Sequence, residues 1–143
     1  MLQDELDSIY ERAELYYYGN GVEQSYKEAL KMYRLLANYG YSKAENSIGY
    51  MYYYGLYVKQ SNEEAIKWYR LAAKHGLSKA QCNLGVCYEY GKGVDQSYEE
   101  AVKWYKLAAD QGYPRAQCNL GTCYYNGNGV NQSYEEAVKW YKL

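Results

Sequence analysis

Four cysteines and a single histidine are the residues of this sequence best suited to nucleophilic or metal chemistry: Cys82, Cys87, Cys118, Cys123 and His75. The cysteines form two C-x4-C pairs. Inside a helix, five residues at about 100° each place the two thiols roughly 140° apart, on different faces. That geometry suits neither a helix-borne metal pair nor an intrahelical disulfide. Cys82 and Cys118 share a register and are expected about one helix spacing apart, roughly 8–10 Å, whereas a disulfide needs Cα atoms within about 7 Å. Free thiols in a reducing compartment are the expectation. His75 precedes Gly76 where a helix is expected to stop, a place where histidine caps carbonyls and suits the helix dipole. A nucleophile–base pair would need a cysteine or serine beside it and an orienting acid, and no local motif supplies them. The recurring G-x-G-V is too short for a phosphate-cradling loop and lacks the Lys-Ser/Thr that would follow. The sequence therefore predicts no catalytic residue, metal site or cofactor.

The elements that position these residues follow from composition and period. The chain has 143 residues and a formal charge of -1, with 23 tyrosines, three tryptophans and no phenylalanine. Its length suits one domain, 1–143, with a continuous core. The balanced charge gives no electrostatic footprint for nucleic acid. Apolar runs are too short to span a bilayer. The acidic N-terminus, Met1 to Asp7, is no secretory signal, and a cytoplasmic location is expected. Tyrosine joins a large apolar ring to a polar tip, so much of the aromatic surface here tolerates water.

Internal repetition is the dominant signal. Gly19, Gly55, Gly91 and Gly127 are spaced by 36 residues; so are Val22, Val58, Val94 and Val130, and Tyr33, Tyr69, Tyr105 and Tyr141. Each unit reads as two helices. In the third, Ala80, Leu84, Gly85 and Tyr88 form the apolar stripe of a first helix, which Gly91 terminates in a left-handed cap. Ser97 and Glu100 make a capping box for the second helix, repeated at Ser25/Glu28, Ser61/Glu64 and Ser133/Glu136. Ala101, Tyr105, Ala108 and Ala109 line its buried side. Ser42/Glu45 and Ser78/Gln81 are expected to box the next first helices. Helices are predicted near 8–18, 25–39, 43–54, 61–75, 79–90, 97–111, 115–126 and 133–143. Gly49, Gly85 and Gly121 lie inside first helices, where each costs about 1 kcal/mol against alanine; a close helix crossing explains them. Glu63/Lys67, Glu99/Lys103 and Glu135/Lys139 are i,i+4 pairs on a solvated face.

The unit A-x-x-x-L-G-x-x-Y-x-x-G-x-G-V … A-x-x-W-Y-x-x-A-A-x-x-G, read from Ala80 to Gly112, resembles the Sel-one-like repeat, a relative of the tetratricopeptide repeat. The resemblance covers essentially the whole chain, with repeats at about 8–43, 44–79, 80–115 and 116–143. It implies an all-α, right-handed solenoid of antiparallel helix pairs, with first helices lining a concave surface and with adaptor or scaffold roles. A cysteine-rich branch of that family carries bridges at positions that are Ala73, Ala80, Ala109 and Ala116 here, so the bridging pattern is absent. Tyr57 replaces the second loop glycine, which implies strain or a different loop shape. Arg12-Ala13 replaces Leu-Gly, as suits a capping first repeat.

Residues 80–107 and 116–143 differ at five of 28 positions. Two are in a loop, Lys92/Asn128 and Asp95/Asn131. The others, Val86/Thr122, Glu89/Tyr125 and Tyr90/Asn126, form one helical stripe at i, i+3, i+4. The same columns hold Glu14, Tyr17 and Tyr18, then Tyr50, Tyr53 and Tyr54. One turn earlier lie Tyr10, Asn46, Cys82 and Cys118. Against the tetratricopeptide pattern these columns correspond to the groove, so the stripe is expected to bind a protein or peptide, tyrosine being well suited to recognition. A weak hydrolase or small-molecule binder, and a structural spacer in a longer array, are the competing readings. The fourth unit stops at Trp140-Tyr141-Lys142-Leu143, before the closing Ala-Ala-x-x-Gly, and Tyr124, Val138 and Tyr141 are expected to face solvent. Self-association through that end, or fraying of the last helix, follows.

Overall fold

The computed structural model describes residues 1–143 and contains eight α-helices and no strand. They are α1 (Gln3–Tyr18), α2 (Tyr26–Ala37), α3 (Ser42–Tyr54), α4 (Asn62–Lys74), α5 (Ser78–Tyr90), α6 (Tyr98–Asp110), α7 (Pro114–Asn126) and α8 (Tyr134–Tyr141). The fold is an all-α repeat of helix pairs, as the period predicts. The chain separates into two compact units, Met1–Leu71 and Ala72–Leu143. In the first, α1 packs on α2 and α2 on α3; in the second, α5 packs on α6, α6 on α7 and α7 on α8. No helix is long and apolar enough to cross a membrane. The first helix begins at Gln3, one turn and more before the expected residue 8, and adds Leu6 to the core.

The core of each unit contains the predicted columns, joined by Leu30 and Met51 from columns the sequence reading did not assign to it. Ala29, Leu30, Tyr33, Leu36, Ala44, Ile48 and Met51 are buried in the first, and Ala101, Tyr105, Ala108, Ala109, Ala116 and Leu120 in the second. The glycines inside first helices have the expected cause. A Cβ on Gly85 would stand 2.6 Å from the Tyr105 ring and 3.3 Å from the Ala101 carbonyl oxygen. Gly49 meets Tyr69, and Gly121 meets Tyr141, in the same way.

The caps agree with the sequence at one end and depart from it at the other. Ser25, Ser61, Ser97 and Ser133 each accept a hydrogen bond from the backbone N–H three residues on, at 3.1–3.2 Å. The boxes stay half closed. The serine N–H groups donate instead to carbonyls of the preceding first helix, Tyr16, Tyr52, Tyr88 and Tyr124, at 2.9 Å. Freed from that task, Glu64 and Glu100 pair with Lys67 and Lys103 at 3.1 and 3.2 Å. The lysines thus reach three residues back, not the expected four. The boxes proposed at Ser42 and Ser78 do not form: the N-caps are Tyr41 and Leu77, without a side-chain cap, and Gln81 donates to the Ala73 carbonyl.

The loop after each first helix keeps one shape. Gly21, Gly93 and Gly129 have φ of 79°, 78° and 74°, and Tyr57, in the same place, has φ 66°. It is the one non-glycine residue of positive φ. The substitution therefore adds strain without a new loop. A left-handed conformation costs an L-residue roughly 1–2 kcal/mol, partly offset by the entropy a glycine loses on folding. Tyr57→Gly is expected to raise stability by about 1 kcal/mol, or Tm by roughly 3 °C, in thermal melts. A drop in Tm would show that the Tyr57 ring contributes more than its backbone costs.

Candidate partner-binding face

The stripe residues sit on first helices, mostly in their last two turns. In the first unit, α1 carries Tyr10, Glu14, Tyr17 and Tyr18, and α3 carries Asn46, Tyr50, Tyr53 and Tyr54. In the second, α5 carries Cys82, Val86, Glu89 and Tyr90, and α7 carries Cys118, Thr122, Tyr125 and Asn126. Tyr18, Tyr54, Tyr90 and Tyr125 are 53–65% exposed, and Tyr50 is exposed as well. Cys118, Thr122 and Asn126 are exposed; Tyr10, Glu14, Tyr17, Tyr53, Val86 and Glu89 are half-buried.

Two residues of the stripe are corrected. Asn46 and Cys82 are buried, at 4% and 0% exposure. Their column, one turn before the rest, is where neighbouring elements pack. Tyr10, its first member, has its ring 5.4 Å from that of Tyr41, at the start of the following α3. Asn119 of α7 lies 3.9 Å from the Cys82 sulfur. Cys118, in the same column, is exposed.

Two acids of the stripe are already engaged. In three of the helix pairs the second-helix tyrosine of this column aims its hydroxyl at the first helix of its own pair. Tyr33 donates to Glu14 at 2.5 Å, Tyr105 donates to Glu89 at 2.8 Å, and Tyr141 shares a 2.8 Å hydrogen bond with Thr122. Burial, and then the carboxylate, hold the Tyr33 and Tyr105 hydroxyls far above the usual phenol range. These hydroxyls are permanent donors, and Glu14 and Glu89 are fixed in place by them. Sequence reasoning missed this link, though Glu14 and Glu89 stand on the first-helix face that a second-helix tyrosine must cross.

A glutamine column also went unread. Gln24, Gln60 and Gln132 donate from their side-chain amides to the carbonyls of Tyr17, Tyr53 and Tyr125, at 3.4, 3.2 and 3.0 Å. They fasten the loop to the end of the first helix where the stripe tyrosines sit. With Gln96 they recur every 36 residues, which was the available signal.

The rings of the first unit form a cluster. Tyr17 stands edge-on to Tyr18 at 4.8 Å and to Tyr26 at 5.3 Å; Tyr54 lies 4.6 Å from Tyr50 and 4.9 Å from Tyr53. In the second unit Tyr125 packs 5.1 Å from Tyr134. Burial raises the Cys82, Cys87 and Cys123 thiols to about 11, which makes them poor nucleophiles. His75 is exposed, just beyond the last residue of α4. Val138 and Tyr141 face solvent as expected, at 47% and 46% exposure. Tyr124 does not, being half-buried against the core of its unit.

Comparison with known proteins gives a consistent relationship. A family model described as the Sel1 repeat matches residues 6–41, 42–77, 78–113 and 114–143. Its boundaries lie about two residues before those read from the sequence. The chain is similar to a protective antigen of uropathogenic Escherichia coli displaying an SLR fold, with 38% identity and a TM-score of 0.91 over 96% of this chain and 29% of that one. It is also similar to a Sel1 repeat protein from Oxalobacter formigenes, with 33% identity and a TM-score of 0.87 over 96% of this chain and 56% of that one. The chain thus spans less than two thirds of either. Cysteine-rich protein B of Helicobacter pylori, at 23% identity and a TM-score of 0.62, covering 82% of this chain and 87% of that one, shares the fold. No curated protein matches the chain significantly.

Proposed function

The chain belongs to the Sel1 repeat family, and from that premise we propose that it is a protein-interaction module whose first-helix stripes grip a peptide or partner protein. Sel1 repeats are generally protein-interaction modules. The observation that carries the reading is the exposure of Tyr18, Tyr54, Tyr90 and Tyr125 in columns that change between near-identical repeats. A fold that only stacks its units has no use for large exposed rings there, whereas rigid amphipathic tyrosines suit recognition. Glu14 and Glu89 enter as anchored acids, and Tyr17, Tyr50, Tyr53, Thr122 and Asn126 as their neighbours on the same stripes.

The experiment is a paired pull-down. Partners retained by the wild-type chain are identified by mass spectrometry and compared with those retained by Tyr53→Ser/Tyr54→Ser. Both side chains lie at the end of α3, outside the buried core, so Tm should stay within a few degrees. Specific partners should be lost, with affinity down at least tenfold, as expected when central aromatic contacts worth about 2 kcal/mol are removed. Unfolding of the variant would make those rings core. Unchanged retention would move the binding surface elsewhere.

A further inference from the structure

We propose that the tyrosine cluster at the C-terminal ends of α1 and α3 is a receptor for a basic side chain, the guanidinium or ammonium of an arginine or lysine in a partner segment. This rests on the interaction-module reading and gives the partner a charge. Three features of the first unit converge on it.

The first is the supply of ring faces. Tyr17 and Tyr18 are edge-to-face at 72°, and Tyr53 and Tyr54 at 66°. In each pair the edge of one ring covers one face of the other and the remaining faces stay uncovered by it, and Tyr18 and Tyr54 are among the most exposed tyrosines of the chain. A cation within about 6 Å of such a face is attracted by the ring quadrupole. The unit already contains one example: the Lys43 ammonium lies over the Tyr10 ring, 5.8 Å from its centroid.

The second is the sign of the fixed charge. Among the seven remaining stripe positions of α1 and α3 the one charged residue is Glu14, and none is lysine or arginine. The Glu14 carboxylate is held by the Tyr33 hydroxyl, so it does not have to be ordered when a ligand arrives. Lys59, in the loop after α3, lines a cleft with Tyr52, Val58 and Glu64 instead.

The third is the backbone. Tyr17 and Tyr18 close α1, and Tyr53 and Tyr54 close α3, so two helix C-termini end at the cluster. The partial negative charge there favours cations. Neither helix has a basic residue in its last turn, as is also true of α5, α6 and α7, whereas α2, α4 and α8 end with Arg34, Lys74 and Lys139. The end carbonyls are satisfied by neutral donors, the Gln24 and Gln60 amides and backbone N–H groups. What remains of the end potential is not neutralised by a basic residue of either last turn.

The test uses capped eight-residue probe peptides with two arginines, with two citrullines, or with two glutamates at the same places, titrated calorimetrically against the full chain. Citrulline keeps the size and planar shape of arginine, removes the charge, and puts a carbonyl acceptor in place of part of the N–H fork. The arginine peptide should bind at least tenfold tighter than the citrulline peptide, and the glutamate peptide should bind weakest. Glu14→Gln, which preserves an acceptor for Tyr33, and Tyr54→Leu, which preserves apolar area, should each reduce the arginine preference severalfold without lowering Tm. Equal binding of arginine and citrulline peptides, lost in Tyr53→Ser/Tyr54→Ser, would overturn the cation receptor and leave the interaction module standing. Binding of the glutamate peptide above the others would overturn it too. Failure of all three peptides, in a chain whose stripe variant has also lost no protein partner, would remove both.

Discussion

Tyr105→Ala is expected to destabilise the chain by about 3–5 kcal/mol, the range for truncating a large aromatic residue in a core. Three losses add up at this position. The ring is fully buried between α5, α6 and the following helix, with Cys82, Ala101 and Leu120 in the same cluster. The hydroxyl bond to Glu89 disappears. The space over Gly85, which the ring fills at distances no Cβ could share, becomes a cavity. The last point makes the prediction specific. Gly85→Val alone should cost about 1–3 kcal/mol through overpacking. In the Tyr105→Ala background the added side chain enters the vacated space, so the second change should cost little or restore part of the loss. Chemical denaturation of the four species gives the coupling. Additive losses would mean that Gly85 is there for a reason other than the Tyr105 ring.

Alkaline pH should unfold this protein unusually early. The Cys82, Cys87 and Cys123 thiols are pushed to about 11 by burial, from an ordinary value near 9. Tyr10 is pushed up to about 12, and Tyr17, Tyr33 and Tyr105 are raised further, burial being the first cause in each case. All are neutral acids whose folded pKa exceeds the unfolded one. The stability they contribute is complete below the unfolded pKa and is lost as pH climbs toward the folded value. The window therefore opens near pH 9 with the thiols and continues above pH 10 with the tyrosines. By pH 11 the loss is on the order of 2 kcal/mol per buried thiol, comparable in sum to the stability of an ordinary domain. Melts between pH 7 and 11 should show a level Tm to about pH 9 and a steep fall beyond it. Replacing the three buried cysteines by alanine should make the first part of the fall shallower. A Tm independent of pH up to 11 would mean that these groups are open to water.

Much of this fold was legible because repetition turns local chemistry into a pattern. The glycines that end first helices, the serine N-caps and the Gly85–Tyr105 crossing each occur three or four times at one spacing. What escaped notice was tertiary. A capping box is a local motif, but the serine N–H it would use lies beside a carbonyl of the previous helix, and the closer partner wins. Asn46 and Cys82 were assigned to the open stripe because they follow its spacing, one turn back; which turn is covered depends on where the next helix crosses. The Tyr33–Glu14 and Tyr105–Glu89 bonds join residues 19 and 16 positions apart, a relation that helical periodicity does not encode. The first repeat shows both sides. Arg12 is exposed in the column where Ile48, Leu84 and Leu120 are buried. Beside it Ala13 takes the place of the crossing glycine and is itself buried.

The central claim is that partners dock on the first-helix tyrosines, and tyrosine footprinting tests it within a single sample. The chain, free and saturated with a partner recovered from the pull-down, is treated briefly with a tyrosine-nitrating reagent and digested, and modification is read residue by residue. Tyr39 and Tyr57 are as exposed as the stripe but lie off it, in the turn after α2 and the loop after α3, and serve as internal controls. The account predicts that the partner protects Tyr18, Tyr54, Tyr90 or Tyr125, with Tyr53 following Tyr54, while Tyr39 and Tyr57 stay reactive. Protection of Tyr39 and Tyr57 with the stripe left fully reactive would contradict it and place the binding surface on the turns.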